Sequence, residues 1–205
     1  MVEDTSSFII DFARPLQDKD LNLYFDTSLF VNYFSNILGY KRSAHIPYNK
    51  ACFNFLNKID FAIKNKKNIL CWTSAFTLIE LFHFVMNKEY DKSKAKRGIV
   101  DDLTFAQYYK KDYTIISDSF PIIDKVKKDL DKFPFFIVES PVDIGDEIKR
   151  LVKDYHLLTA DAYHIATATS LGIKDIVAVD EDFGRPALKG EFTLYTPIYK
   201  LVNPI

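Results

Sequence analysis

Short apolar runs of four or five residues recur along this chain, and longer stretches with helical spacing separate them. Leu21 to Phe25 (LNLYF) reads as a short buried strand that ends at Asp26. Residues 28–38 (SLFVNYFSNIL) then carry apolar positions at helical spacing, with Gly39 as the stop. Residues 48–66 repeat that pattern, with Phe53, Leu56, Ile59 and Ile63 on one face. Ile69 to Trp72 (ILCW) is a second strand, and Ser74 is suited to cap a helix over residues 75–86. Residues 88–132 are charged and mostly helical in pattern, and Pro121 divides them into at least two helices. Phe135 to Val138 (FFIV) is a third strand, and residues 143–155 are a helix. Thr159 reads as the cap of a helix over 160–171 that Gly172 closes. Asp175 to Val179 (DIVAV) is a fourth strand with Asp180 behind it, and Phe192 to Thr196 is a candidate fifth. Residues 1–20 carry little periodicity and read as a peripheral N-terminal extension to a domain over 21–205, with the charged helical segment 88–132 inside it.

Strands that alternate with helices imply an α/β fold whose mostly parallel sheet is covered on both faces. Ligands of such sheets bind outside the carboxyl ends of the strands. The residue just after each strand is therefore the one to inspect. Asp26 follows the first strand and Asp180 the fourth. Glu80 falls in the second turn of the helix after Ser74, among Leu78, Ile79, Leu81 and Phe82. An acid in so apolar a stretch calls for a partner or a metal, because an unpaired buried charge is costly. Asp161 falls in the first turn of its helix, where the dipole favours an anion. The residues after it, AYHIATA, are small enough to let that helix lie close to the sheet. Taken singly, Asp26 and Asp180 are also explained as caps or turn residues, and Asp161 by the dipole alone. The joint arrangement is the stronger signal, because all four acids fall at one edge of the expected sheet.

Composition narrows the reading. The 205 residues suit one domain with a sizeable core, and 48% hydrophobic with 15% aromatic residues excludes a disordered chain. Only 6 glycines are present, and neither a G-x-G-x-x-G nor a G-x-x-x-x-G-K-[ST] phosphate loop occurs. Cys52 and Cys71 have no metal spacing and read as two buried thiols of a reducing compartment. The opening MVEDTSSF is acidic and lacks the basic start of a signal peptide, and no apolar stretch is long enough to cross a bilayer. The expectation is a cytoplasmic protein with no membrane partner. With 27 basic and 28 acidic side chains the formal charge is −1, which is not the footprint of a protein that coats nucleic acid. Setting the four site acids aside leaves 27 basic against 24 acidic, a balance of +3. Lysines gather at Lys64, Lys66 and Lys67, at Lys92 to Arg97, and at Lys125, Lys127 and Lys128, where solvated helix faces and phosphate contacts are both open readings.

Four segments carry a family resemblance. YFDTSLFVNYF resembles the opening signature of the PIN domain, CWTSAFTLIEL the second, LLTADAYHIATA the third and IVAVDEDFG the fourth. Their order and approximate spacing agree over residues 21–196, and the likeness extends to VapC-like toxins. The resemblance implies a three-layer α/β/α PIN-like fold and a ribonuclease. Asp26, Glu80, Asp161 and Asp180 would be its catalytic, metal-binding acids, with Asp182 a near alternative for the fourth and Thr27 and Ser28 as hydrogen-bonding support. It also implies an RNA substrate, products with 5′-phosphate and 3′-hydroxyl ends, a protein antitoxin as partner and a homodimer. The N-terminal extension and segment 88–132 exceed a compact toxin of this kind.

Carboxylate oxygens are hard donors that suit Mg²⁺ or Mn²⁺. One ion, or two ~3.5–4 Å apart, would lower the pKa of a water and orient it for in-line attack on a phosphodiester. Without metal, clustered carboxylates repel, so at least one is expected to titrate at raised pH. The alternatives are a non-catalytic PIN-like module that holds RNA or a protein, and a structure-specific DNA nuclease. Glu80 with His83 and Asp161 with His164 also have the E-x-x-H and D-x-x-H spacing of di-iron bundles, but strands such as DIVAV do not fit an all-α chain. His83 and His164 read instead as packed or partly exposed rings, His45 and His156 as surface residues, and Trp72 as core.

Overall fold

The computed structural model describes residues 8–16, 20–40, 46–99, 104, 107, 110, 114, 117, 119–139, 141 and 143–197. Two compact units emerge, one formed by Met1–Thr77 with Pro134–Ile205 and one by Leu78–Phe133.

The first unit is built on strands β1 (Ile9–Asp11), β2 (Leu21–Phe25), β3 (Ile69–Ser74), β4 (Phe135–Val138), β5 (Asp175–Val177) and β6 (Thr193–Thr196). They form one six-stranded sheet in the order β1-β6-β5-β2-β3-β4, and every pairing is parallel. Leu23 in the centre of β2 stands opposite Cys71 on one side and Asp175 on the other. After β2 the chain builds β3 and β4 on one flank, and later β5 and β6 on the other. The carboxyl ends of β2 and β5 therefore flank the point where the strand order reverses, the crevice in which open α/β sheets bind ligands.

Helices α1 (Thr27–Ile37) and α2 (Ile46–Lys64) pack on each other and cover one face of the sheet. Their aromatic residues meet alternate strand residues there: the Phe25 and Phe30 rings lie 6.2 Å apart and those of Phe55 and Tyr195 6.4 Å apart. On the other face, helices designated α5 (Gly145–Tyr155) and α6 (Thr159–Ser170) pack together over the sheet. Tyr24, Ile176 and Leu194 from the strands join Leu151, Ile165, Ala166 and Phe183 in one buried cluster. Period-2 alternation thus supplies two cores, and each fully buried Leu, Ile or Phe contributes about 1.5–3 kcal/mol. The result is the three-layer α/β/α arrangement expected from the sequence.

The second unit contains most of α3 (Ala75–Arg97) and α4 (Phe120–Leu130). Leu81, Val85, Glu89 and Ser93 recur every fourth residue and are all buried, which defines one face of α3. The expected stop of this helix at residue 86 is passed by three turns. The residues after Met86 lack apolar periodicity but are good helix formers, and Gly98 at φ 65° ends the helix. Pro121 starts α4 rather than breaking it, because its missing N–H is not needed in the first turn.

Several local boundaries differ from the sequence reading. Ile9–Asp11 pair with Leu194–Thr196, so this part of the N-terminal segment adds an edge strand to the sheet. Thr159 is the first residue of α6 and Leu158 its cap, without a capping side chain. Strand β5 ends at Val177, and the N–H of Val179 donates instead to Ser28 Oγ at 2.8 Å. Ser74 caps α3 as expected, its Oγ accepting the Thr77 N–H at 3.1 Å. Trp72 is half-buried, with its indole N–H donating to Asn22. His156 is exposed, and His45 lies outside the described residues. Both cysteines are buried and outside any disulfide, and burial pushes the Cys71 thiol up to about 12.

Candidate active site

Asp26 is held at the carboxyl end of β2 by three contacts. Its N–H donates to the carbonyl of Val177 at 2.9 Å, which joins it to the end of β5. Its Oδ2 accepts the N–H of Ser28 at 2.8 Å and so caps α1. Its Oδ1 lies 3.3 Å from Nε2 of His164. The sequence Asp-Thr-Ser accounts for this arrangement: Asp26 caps, Ser28 reaches across to the backbone of Val179, and Thr27 Oγ1 lies 3.3 Å from His164 Nε2 in a hydrogen bond. The carboxylate is 4% exposed, so these partners replace water that it has lost.

Asp161 reaches the same place from α6. Ala162, Ala166 and Ala168 are buried, and their small side chains seat that helix against the sheet. Asp161 itself is half-buried in the first turn. Its carboxyl is pushed up to about 7, first by burial and then by the negative charges of Asp26, Asp180 and Asp182, with His164 acting in the opposite direction. These four acids therefore share one electrostatic field at the switch point of the sheet.

Asp180 is exposed, and its Oδ1 accepts the Asp182 N–H at 3.1 Å, capping the short 3-10 turn Glu181–Phe183. The Asp182 carboxylate lies 3.1 Å from the guanidinium of Arg185. The two aspartates thus differ: one caps the turn beside the site, the other is paired with a cation one turn on. Glu80 belongs to the second unit, half-buried in the second turn of α3 between exposed Ile79 and buried Leu81. His83, one turn further, is exposed.

The buried group that sequence reasoning left outside the site is His164, at 1% exposure. Its Nδ1 meets the hydroxyl of Tyr24 at 3.1 Å, while Nε2 faces Asp26 and Thr27. The signal for it was present. Tyr24 and Asp26 are two apart on a strand and share a sheet face, and Asp161 and His164 are three apart on a helix and share a helix face.

The donor set is carboxylate oxygen, and the mutual repulsion recorded at Asp161 is what a bound cation would relieve. In donor type and charge the site fits Mg²⁺ or Mn²⁺. Among the described residues, no three His, Cys, Asp or Glu side chains stand close enough together to hold an ion as they are. The acids share a field over a longer range than ligand distance, so the fit lies in charge and chemistry.

The family model for the PIN domain matches residues 23–189, a stretch that contains Asp26, Glu80, Asp161, Asp180 and Asp182. Comparison with curated proteins finds no match.

Proposed function

Because the chain belongs to the PIN-domain family, whose members are generally metal-dependent nucleases, we propose that it is a Mg²⁺- or Mn²⁺-dependent endoribonuclease. One observation carries the reading: Asp161 is driven up to about 7 by burial and by three neighbouring carboxylates, at the crevice where the strand order reverses. Uncompensated negative charge is costly to maintain, and a structural role for these acids would not need it. Asp26, Asp161 and Asp180 would hold the cation, and Asp182 is the alternative to Asp180. When bound, such a cation activates a water and stabilises charge on a phosphodiester. Three features of the fold support this reading: Ser28 and His164 contact the Asp26 carboxylate, Asp180 caps the turn at Glu181–Phe183, and Asp161 lies in the first turn of α6.

The resemblance to VapC-like toxins extends the proposal to a cytoplasmic homodimer restrained by a protein antitoxin. Among the described residues no helix is long and apolar enough to cross a membrane.

The test is cleavage of a 5′-labelled single-stranded RNA in EDTA and then in Mn²⁺, beside matched single-stranded and flap DNA. The expected result is no cleavage in chelator, restoration by Mn²⁺, and a strong preference for RNA. Full cleavage in EDTA would refute the metal-dependent reading. Preference for flap DNA would make the protein a DNA nuclease. Tight RNA binding without cleavage in any metal would make it a binding module.

A further inference from the structure

The buried contacts of His164 form a line through the layer between β2 and α6: Tyr24 hydroxyl to Nδ1 at 3.1 Å, then Nε2 to Asp26 Oδ1 at 3.3 Å. Both ends of the imidazole are thus engaged, and all three groups are buried: Tyr24 is 0% exposed, His164 1% and Asp26 4%. The partner at Nε2 decides where one ring hydrogen sits. An ionised carboxylate only accepts, so the nitrogen facing Asp26 carries the hydrogen. Thr27 Oγ1, at 3.3 Å from the same nitrogen, accepts alongside it. The other nitrogen faces the Tyr24 hydroxyl, which can donate or accept.

We infer that His164, fixed by Tyr24, is a positioning residue that sets the orientation of the Asp26 carboxylate for metal uptake. The inference rests on the nuclease reading above. Ser28 N–H holds Oδ2 and His164 faces Oδ1, so donors address both oxygens of Asp26 and fix its plane. The construction interlocks two sequence spacings, Tyr24-x-Asp26 on β2 and Asp161-x-x-His164 on α6. The helix that carries one acid therefore aims another. Groups that orient a metal-binding side chain typically alter metal affinity about 10–100-fold when removed.

Two near-isosteric amides separate positioning from packing. In His164→Gln the amide nitrogen can reach the position of Nε2, and in His164→Asn only that of Nδ1. Binding of Mn²⁺ alone is measured by titration calorimetry on the full chain, with a thermal melt of each variant in EDTA. His164→Gln should stay within about threefold of the wild-type Kd, and His164→Asn should weaken it about tenfold. Tyr24→Phe should weaken it about threefold alone, and should have no further effect on top of His164→Asn, because both act on one line of contacts. Equal losses from Gln and Asn, or no loss from either, overturn the inference when the wild type binds Mn²⁺. If both His164 variants fail to fold, Tyr24→Phe decides, and an unchanged Kd overturns it. A wild type that takes up no Mn²⁺ overturns the nuclease reading itself and this inference with it.

Discussion

Replacing Asp161 by Asn removes one charge from the carboxylate field and keeps the shape of the side chain. In the folded protein this carboxyl sits at about 7 against 3.8 for a free one. An acid that is raised on folding holds its proton more tightly in the folded state. Its ionisation therefore favours unfolding: stability falls as pH rises from 3.8 to about 7, and stays lowered above that. The full difference corresponds to about 4 kcal/mol as an upper bound. Asp161 is only half-buried, and solvent screening reduces this to about 2 kcal/mol. The helix dipole opposes the change, because an anion in the first turn of α6 stabilises that helix by about 0.3–1 kcal/mol. Repulsion wins, and Asp161→Asn should be more stable than the wild type by about 1–2 kcal/mol at pH 8 in EDTA. For a chain of this size that is a melting temperature higher by about 2–8 °C.

The assay is a series of thermal melts of both proteins from pH 4 to pH 8. In EDTA the advantage of the variant should grow between pH 4 and about 7 and then level off. Saturating Mn²⁺ should reverse the order, since a ligand at 100 times its Kd stabilises the folded state by about 2.7 kcal/mol and the variant has lost a ligand. An advantage that does not change with pH would remove the electrostatic burden from Asp161. A wild type more stable than the variant at pH 8 in EDTA would refute the reasoning outright.

Two further outcomes follow from the turn beside the site and from the seam between β2 and β5. Asp180→Asn should abolish cleavage and Asp182→Asn should reduce it about tenfold or less, because Asn caps a turn as well as Asp does and the Asp182 charge is already met by Arg185. RNA cleavage by the two folded variants checks this, and a larger loss from Asp182→Asn would exchange their roles. Ser28→Ala leaves the Val179 N–H without its acceptor and should lower stability by about 1–3 kcal/mol. Urea unfolding measures it, and a loss below about 0.5 kcal/mol would mean that this bond does not hold the two strand ends together.

How much of this was legible in the sequence depends on the range over which each feature is decided. Strand β2 and Asp26 were legible because LNLYF is a buried run and a capping residue follows it directly, so that run and cap were visible within six residues. Helix α6 was legible from the small residues after Asp161, but its first residue was not: Thr159 is a good cap by type, yet extended backbone at Leu158 starts the helix one position earlier. Strand β1 was illegible because three residues show no period, and what makes Ile9–Asp11 a strand is the exposed edge of β6, distant in sequence. The acids could be found one at a time, since each ends a strand or opens a helix. Their unequal burdens could not, because these depend on burial and neighbours. Asp26 is the most enclosed of the three sheet-edge acids, yet donors face both of its oxygens, while half-buried Asp161 bears the repulsion. His164 shows the same limit most clearly. Read alone on α6, it is an imidazole on a packed helix. Its role emerges only when Tyr24-x-Asp26 on a strand meets Asp161-x-x-His164 on a helix, two periods that coincide only because α6 lies against β2. A polar side chain buried that deeply must have partners, so asking which groups satisfy His164 is what links the third acidic segment to the first.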